Sequence, residues 1–233
     1  MQYMGGKVRI ARHILPIMLK EKKDDQWWVE PFVGGANVID KVNGKRIGSD
    51  INKYLIALLD RASNGYVPPE NISEELYYSI KSNQGDYDPE LVGFVGFCCS
   101  FGGKWWGGYA QNKRGDNYAR AGSRAIARQG AMMKGVEFVS GSYDELQIPD
   151  NSIIYCDPPY NNTTKYNNYF DHDLFWEWCR QAASNGNTVF VSEYTAPDDF
   201  TCVWEMNHKT NLNKNKTTGR VEKLFRVNRK GTS

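Results

Sequence analysis

The sequence has no long hydrophobic run and no paired cysteines, and these absences exclude several classes of protein. No stretch of about 18 consecutive apolar residues occurs in the 233-residue chain, so a membrane-spanning helix is not expected. The first residues, MQYMGGKVRIARH, lack the apolar core of a signal peptide. The five cysteines show no C-x-x-C spacing, which argues against both a disulfide framework and a zinc site. We therefore expect a cytoplasmic globular protein without a metal centre.

The chain also lacks a strong net charge, but its charges are unevenly distributed. The formal net charge is +2 at pH 7. From Lys104 to Lys134 there are seven basic residues against one acidic residue, and from Lys209 onward eight basic residues against Glu222 alone. Such concentration favours a polyanionic partner such as nucleic acid, although basic loops can also be merely solvated. Charge by itself leaves these two interpretations open.

Apolar runs with strand and helix spacing alternate along most of the chain. Predicted strands are QWWVEPF (26–32), KRIGSD (45–50), VEFVSGS (136–142), SIIYCD (152–157) and NTVFVSEY (187–194), with TCVWEMNH and EKLFRVN as a closing antiparallel pair. Residues 51–63 and 171–186 have the apolar spacing of helices. This alternation predicts an α/β protein with a mostly parallel sheet covered by helices.

Residues 62–134 interrupt the alternation and carry the first basic block. They begin with the breaker-rich stretch NGYVPPEN, after which Ser73 can cap a helix. An apolar stretch (89–103) then predicts a buried helix, and a basic, aromatic and glycine-rich stretch (104–129) shows no clear period. We predict an inserted domain at 62–134 and a main domain formed by 1–61 and 135–233.

Four predicted strands end in unusual polar chemistry, namely EPFVGG, GSD, CDPPY and SEY. Ligands of open α/β sheets bind outside the carboxyl ends of the strands. One such ending could serve only the structure of a turn. Four of them at one edge predict a functional site.

Three of the elements near this edge suit a cofactor that carries a nucleoside. Gly34 and Gly35 form a tight turn that lets backbone approach a ligand, but the pattern is not G-x-G-x-x-G and does not indicate a pyrophosphate. Asp50 can accept hydrogen bonds from ribose hydroxyls, or it can cap the helix that follows. Lys7, in YMGGK, can pair with a carboxylate or belong to a flexible terminus.

The stretch Asp157-Pro158-Pro159-Tyr160 is the most informative motif. The exocyclic amine of a nucleobase is a poor nucleophile because its lone pair is delocalised into the ring. A carboxylate and a peptide carbonyl in a proline-locked turn can accept its hydrogens, and a tyrosine can stack on a base swung out of the helix. The motif therefore indicates chemistry on a base amine, and residues 161–170 are expected to close near that base.

In this order the motifs resemble the Dam-type DNA adenine-N6 methyltransferases, a group that includes phage-encoded members. The matching elements are Tyr3–Lys7, Phe32–Gly35, Asp50, the 62–134 insertion and Asp157–Tyr160. GSYDEL (141–146) matches a family segment beside the cofactor adenine only weakly, and GRVEKLF (219–225) resembles a C-terminal element. The resemblance implies a Rossmann-like class I methyltransferase sheet with a mainly helical target-recognition insertion that bears a hairpin.

The resemblance also implies a cofactor, a reaction and a set of site residues. S-adenosylmethionine would be the methyl donor, contacted by Tyr3 and Lys7, lined by Phe32, Gly34 and Gly35, and held at its ribose by Asp50. Asp157 would lie between cofactor and target amine, assisted by Pro158, with Pro159 and Tyr160 completing the catalytic motif. Transfer to adenine N6 in double-stranded DNA would be direct, without a metal or a covalent enzyme intermediate.

The insertion would then contact DNA. The residues expected to do so are Lys104, Lys113, Arg114, Arg120 and Arg124. Most basic residues of such a region position phosphates, while one or two read base edges. Trp105 and Trp106 could wedge between base pairs, but a buried aromatic pair is the favoured interpretation.

Other functions remain open at this level. Asp157 favours adenine, because glutamine-directed relatives commonly carry Asn and cytosine-N4 enzymes Ser at this place. RNA adenine methylation and a non-catalytic DNA-binding role are the alternatives. No nuclease-like segment is visible, so DNA cleavage would require a separate restriction endonuclease. The recognition sequence and the oligomeric state are not determined by the sequence.

Overall fold

A seven-stranded sheet organises the chain. The structure, a computed structural model, describes residues 1–112, 114–160, 170–208 and 220–228. The strands are β1 (Trp28–Glu30), β2 (Arg46–Asp50), β3 (Val136–Ser140), β4 (Ile153–Cys156), β5 (Thr188–Glu193), β6 (Phe200–His208) and β7 (Arg220–Val227). The helices are α1 (Val8–Leu19), α2 (Lys53–Ser63), α3 (Glu74–Ser82), α4 (Pro89–Cys98), α5 (Tyr118–Met132) and α6 (His172–Ser184). Short 3-10 turns lie at Ile39–Lys41, Gln84–Asp86 and Phe101–Gly103.

The strand order is β3-β2-β1-β4-β5-β7-β6. The five strands from β3 to β5 in this order are parallel to one another, whereas β7 runs antiparallel to both β5 and β6. The chain order reverses between β1 and β4, which makes the crevice outside their carboxyl ends the place where a doubly wound sheet binds its ligand. The predicted Rossmann-like class I methyltransferase sheet is confirmed, as is the predicted closing antiparallel pair.

Two apolar layers cover the sheet, because side chains of successive strand residues point to opposite faces. On one face Trp28, Tyr155 and Phe190 join a core shared with α1, α2, α4 and α5. On the other face Val29, Ile154 and Val189 pack with side chains of α6. No helix in the described part of the chain is long and apolar enough to cross a membrane.

Local signals in the sequence explain several helix starts. The side chain of Asn52 accepts hydrogen bonds from the N–H groups of Tyr54 and Leu55 and caps α2. Ser73 caps α3, as predicted, and Asp171 caps α6. Asp50 is therefore not the cap of α2, and the capping interpretation of that residue is wrong.

Two helices were not among the predicted elements. In α1 the buried residues include Ile10, Ile14 and Met18, which have helical spacing. In α5 most buried positions are occupied by small or polar residues such as Ala119, Ser123 and Gly130. Such a face produces little hydrophobic periodicity, so the sequence pattern conceals the helix.

The residues between β2 and β3 pack on the same core as the sheet. Helices α4 and α5 both lie against α2, and contact there is close enough to require glycine. A Cβ added to Gly93 would stand 2.1 Å from the backbone oxygen of Tyr54, and one added to Gly130 would stand 2.3 Å from that of Ala62. Helices α4 and α5 are thus joined to the sheet through their buried contacts with α2.

In the described residues, the region of the predicted hairpin forms one antiparallel bridge and no regular strands. Ser100 and Tyr109 form a single antiparallel bridge, and the Phe101 N–H donates to the carbonyl of Gly108. Trp105 and Trp106 lie within this loop, half-buried, and their rings contact Phe97, Tyr54 and Tyr77. The favoured interpretation of the tryptophan pair, packing rather than wedging, agrees with these contacts. Phe101 is instead 69% exposed.

Candidate active site

The catalytic motif begins immediately after β4, at the point where the sheet order reverses. Strand β4 is buried throughout and ends at Cys156, so Asp157 emerges at the carboxyl edge beside the end of β1. Pro158 is buried and Pro159 exposed, while Asp157 and Tyr160 are half-buried. The turn therefore presents an acid and an aromatic ring to the crevice.

Lys7 connects the N-terminal motif to this acid. Its ammonium lies 3.0 Å from Oδ1 of Asp157 and 4.3 Å from the centroid of the Tyr160 ring. Burial by itself would lower the pKa of Lys7, but the carboxylates of Asp157 and Glu222 outweigh that effect and raise it. Lys7 is consequently held as a cation beside the catalytic motif.

Asp157 is more basic than an exposed aspartate. Burial raises the pKa of its carboxyl, the charge of Lys7 lowers it, and the charge of Glu222 raises it further, with a raised pKa as the result. A carboxylate with a raised pKa is a better acceptor of hydrogens from a weakly acidic amine.

The glycine turn after β1 lies under Tyr3. A Cβ at Gly34 would stand 2.9 Å from the Tyr3 ring, and a Cβ at Gly35 would stand 2.6 Å from Cβ of Tyr3. Gly34 also adopts φ = +46°, in the left-handed region that favours glycine. The glycines are therefore required both by the turn and by the close approach of Tyr3.

Asp50 joins this turn to the end of β2. Its Oδ2 accepts the N–H of Gly34 at 3.2 Å, and its Oδ1 accepts the N–H of Asn52 at 2.9 Å. Burial raises the pKa of its carboxyl, and the two backbone hydrogen bonds oppose that shift. Two oxygens offer about four acceptor positions, so the carboxylate keeps capacity for further donors.

Phe32 lies between the turn and α6. Its ring centroid is 5.2 Å from that of Tyr143 and 5.7 Å from that of Phe175. Tyr143 belongs to the GSYDEL segment, so this segment and the turn after β1 pack together although they are far apart in the sequence.

Four residues at this edge received no role from their sequence pattern alone. Glu30 ends β1, is 2% exposed, and accepts the indole N–H of Trp28 at 2.7 Å; burial raises the pKa of its carboxyl well above the ordinary value. Ile51, directly after Asp50, is 77% exposed. Tyr194 contacts the Tyr160 ring edge-on at 4.6 Å, and Glu222 accepts the Tyr160 hydroxyl at 2.8 Å. Of these four, Glu222 had a signal in the sequence, because it lies in the GRVEKLF segment that resembles a C-terminal family element.

The basic residues expected to contact DNA differ in their exposure and in their ion-pair partners. Lys104 and Arg114 are exposed, and Lys113 lies outside the described residues. Arg120 and Arg124, on α5, pair with Glu70 at 3.2 and 3.1 Å. Exposed ion pairs of this kind contribute about 0–1 kcal/mol, so both arginines can exchange Glu70 for another anion.

The strand order and the acid at its switch point define a Rossmann-like α/β protein with a candidate active site between β1 and β4. The family model of D12 class N6 adenine-specific DNA methyltransferases matches residues 3–91 and 107–189. The chain therefore belongs to the D12 class of N6 adenine-specific DNA methyltransferases.

Individual relatives are distant. The type II methyltransferase M.FokI of Planomicrobium okeanokoites is 26% identical over 192 residues, which cover 70% of this chain and 29% of that protein. A DNA adenine methylase of Vibrio cholerae is 24% identical over 254 residues, covering 98% of this chain and 88% of that protein. A structure from Listeria monocytogenes, described as a class I S-adenosylmethionine-dependent methyltransferase, superposes with a TM-score of 0.43 at 11% identity and covers 100% of this chain and 62% of its own.

Proposed function

We propose that the protein transfers a methyl group from S-adenosylmethionine to N6 of an adenine that has been swung out of double-stranded DNA. The observation that carries this proposal is the position of Asp157-Pro158-Pro159-Tyr160 at the switch point of the sheet, paired through Lys7 with the N-terminal motif. Family membership supplies the reaction class, and the site geometry supports the roles of individual residues.

The residues around the glycine turn fit the cofactor. Asp50 is fixed by two backbone donors and keeps acceptor positions for the ribose hydroxyls. The exposed side chain of Ile51 offers an apolar surface to the adenine ring, and Phe32 with Tyr143 forms an aromatic floor. Lys7 supplies a cation for the methionine carboxylate, close to Tyr3. When bound, the cofactor supplies an electrophilic methyl group on a sulfonium.

Asp157 activates the target amine. Its carboxylate and the carbonyl of Pro158 accept the two N6 hydrogens, which returns electron density to the nitrogen. Asp157 then receives the proton that the nitrogen gives up once its bond to the methyl carbon has formed. Tyr160 stacks on the extruded base, and holding the reactants in line contributes much of the rate.

The cofactor role of Asp50 is tested by Asp50→Asn. The substitution removes the charge that strengthens hydrogen bonds to ribose, and each charged hydrogen bond is worth about 1.5–3 kcal/mol. We expect the dissociation constant for S-adenosylmethionine to rise by roughly 10- to 100-fold, as measured by calorimetry. Asp60→Asn, an exposed acid on α2, serves as the matched control. Unchanged cofactor affinity in Asp50→Asn would remove this residue from the cofactor site.

We place the DNA-binding surface on the segment 62–134, which carries Lys104, Lys113, Arg114, Arg120 and Arg124. Replacing Arg120 and Arg124 by Gln removes two candidate phosphate contacts, each of which adds about 0.9 to the slope of log affinity against log salt. We expect weaker DNA binding and a slope flatter by up to about 2, measured by titration at several salt concentrations.

Glu70→Gln is the counterpart of that experiment. It frees both arginines from their ion pairs and is expected to strengthen DNA binding. If neither the slope nor the affinity changes in the arginine and Glu70 variants, DNA binds on another surface.

The direct test of the function is incubation of the protein with labelled S-adenosylmethionine and unmethylated genomic DNA, followed by nucleoside analysis and base-resolution sequencing. N6-methyladenine in one short sequence context is the expected product. Cofactor binding without labelled DNA would favour an RNA substrate, which the same assay with RNA detects. Loss of cofactor binding as well would favour a non-catalytic DNA-binding protein.

A partner endonuclease belongs to the same proposal. The matched relative M.FokI is a type II methyltransferase, but this chain corresponds to only a minor part of it. A separate restriction endonuclease that recognises the same sequence would fail to cleave DNA that had been methylated in the assay above. Digestion of methylated and unmethylated DNA with enzymes of matching specificity tests this directly.

A further inference from the structure

Glu222 lies on β7, a strand that contributes no residue to the catalytic motif, and its side chain reaches that motif. Its Oε2 accepts the hydroxyl of Tyr160 at 2.8 Å and stands 3.9 Å from the ammonium of Lys7. Its side chain is 16% exposed, similar to the 20% of Asp157. Two carboxylates therefore share one lysine inside the site.

A second carboxylate at this place has an electrostatic cost. The charge of Glu222 raises the pKa of Asp157 and so opposes ionisation of the catalytic acid. Neither the sheet nor the core requires an acid there, because the neighbouring Leu224 and Phe225 supply the buried apolar contacts of β7. The carboxylate instead touches two residues of the reaction site.

We propose that Glu222 is a positioning residue of the methyl transfer, which holds the ring of Tyr160 by its hydroxyl and retains Lys7 when Asp157 engages the target amine. This inference rests on the proposed function and adds to it a residue that acts only through others.

The first part of the role concerns Tyr160. Lys7 lies over the ring at 4.3 Å and Tyr194 meets it edge-on at 4.6 Å, while Glu222 holds the hydroxyl at the far end. These contacts fix the ring before a base arrives. A preformed stacking surface reduces the freedom that must be lost when the base is bound.

The second part concerns Lys7. In the structure Lys7 pairs with Oδ1 of Asp157, so the ion pair takes up part of the acceptor capacity that the amine hydrogens need. The methionine carboxylate of the cofactor and Glu222 are the further anions available to Lys7, and a largely buried ammonium that loses one partner without gaining another is costly. Glu222 can replace a lost partner after its carboxylate and the ammonium approach by about 1 Å, because the two groups stand 3.9 Å apart and charged hydrogen bonds form at 2.7–2.9 Å.

Charged and titratable groups face Asp157 from several elements. They are Lys7 before α1, Glu30 in β1, Tyr155 and Cys156 in β4, Tyr160 after β4, and Glu222 in β7. Among the carboxylates, Glu222 shares its lysine with Asp157 directly. Removing its charge lowers the pKa of Asp157, so the acid limb of the pH–rate profile is expected to move to lower pH.

The test is a double-mutant cycle measured by single-turnover methylation at saturating cofactor and DNA, with the wild-type protein alongside. Glu222→Ala and Tyr160→Phe are each expected to slow methylation by about tenfold without weakening DNA binding. Because both remove the same contact, the double variant is expected to be about as slow as the slower single variant. Glu205→Ala, an exposed acid on β6, is the matched control and is expected to keep the wild-type rate.

Glu222→Gln separates the charge from the hydrogen bond. Its amide oxygen still accepts the Tyr160 hydroxyl, so a purely structural role predicts an unchanged pH–rate profile, whereas our inference predicts the acid limb at lower pH. Effects that multiply in the double variant, a Glu222→Ala protein with the wild-type rate, or an unmoved acid limb would each overturn the inference. A wild-type protein that methylates no DNA would overturn the proposed function and this inference together.

Discussion

Replacing Asp157 by alanine is expected to reduce DNA methylation by roughly a thousandfold or more, within the range that loss of a positioned acid–base group produces. The variant loses the acceptor for the N6 hydrogens, the destination of the departing proton and the 3.0 Å partner of Lys7. Affinity for DNA is expected to change little, because phosphate contacts elsewhere dominate it. Quantifying N6-methyladenine and titrating DNA binding on the same preparation measures both quantities.

The matched control for this variant is Asp150→Ala. Asp150 is exposed and precedes β4, so it belongs to the same strand connection but lies at the opposite edge of the sheet. We expect wild-type methylation from this control. A normal rate in Asp157→Ala would remove Asp157 from the mechanism, and a parallel loss of DNA affinity would show that the residue also organises the DNA-binding surface.

The second large effect concerns stability. Gly93→Ala places a Cβ 2.1 Å from the backbone oxygen of Tyr54, across the interface between α4 and α2. Backbone atoms at a helix contact cannot yield as a flexible side chain can, so the two helices must separate. The gain in helix propensity is about 1 kcal/mol, and overpacking of this kind costs about 1–3 kcal/mol or more. We therefore expect a net loss of the free energy of unfolding, measured by denaturant titration.

Gly85→Ala distinguishes this contact from a general effect of replacing glycine. Nothing lies within 4 Å of a Cβ at Gly85, and the variant is expected to unfold at the wild-type denaturant concentration. Because α4 shares its core with α2 and the sheet, Gly93→Ala is expected to shift one cooperative transition. A separate, earlier transition would show that residues 62–134 unfold independently.

Local sequence chemistry predicted much of the architecture. Strand β2 ends at Asp50 as predicted, and β4 and β5 end at Cys156 and Glu193, one residue before their predicted ends. Strand β1 ends at Glu30, two residues before the predicted end at Phe32. The agreement is close because the short-range hydrophobic pattern decides which residues enter a buried strand. The cap of α3 followed from Ser73, which directly precedes the helix in the sequence. Helix α5 escaped prediction because its buried face consists largely of small or polar residues, of which Gly130 lies too close to α2 to carry a side chain.

Local residue patterns were sufficient to predict the class of sheet, the order of the motifs and the residue types of a methyltransferase site, since each of these depends on a few neighbouring residues. The folded chain was needed to show that Lys7 pairs with Asp157, that Asp50 holds the turn at Gly34 instead of capping α2, and that Glu222 accepts the hydroxyl of Tyr160. Those contacts join residues far apart in the chain. Their formation depends on strand order and register, which bring distant segments to one edge of the sheet and which no local pattern encodes.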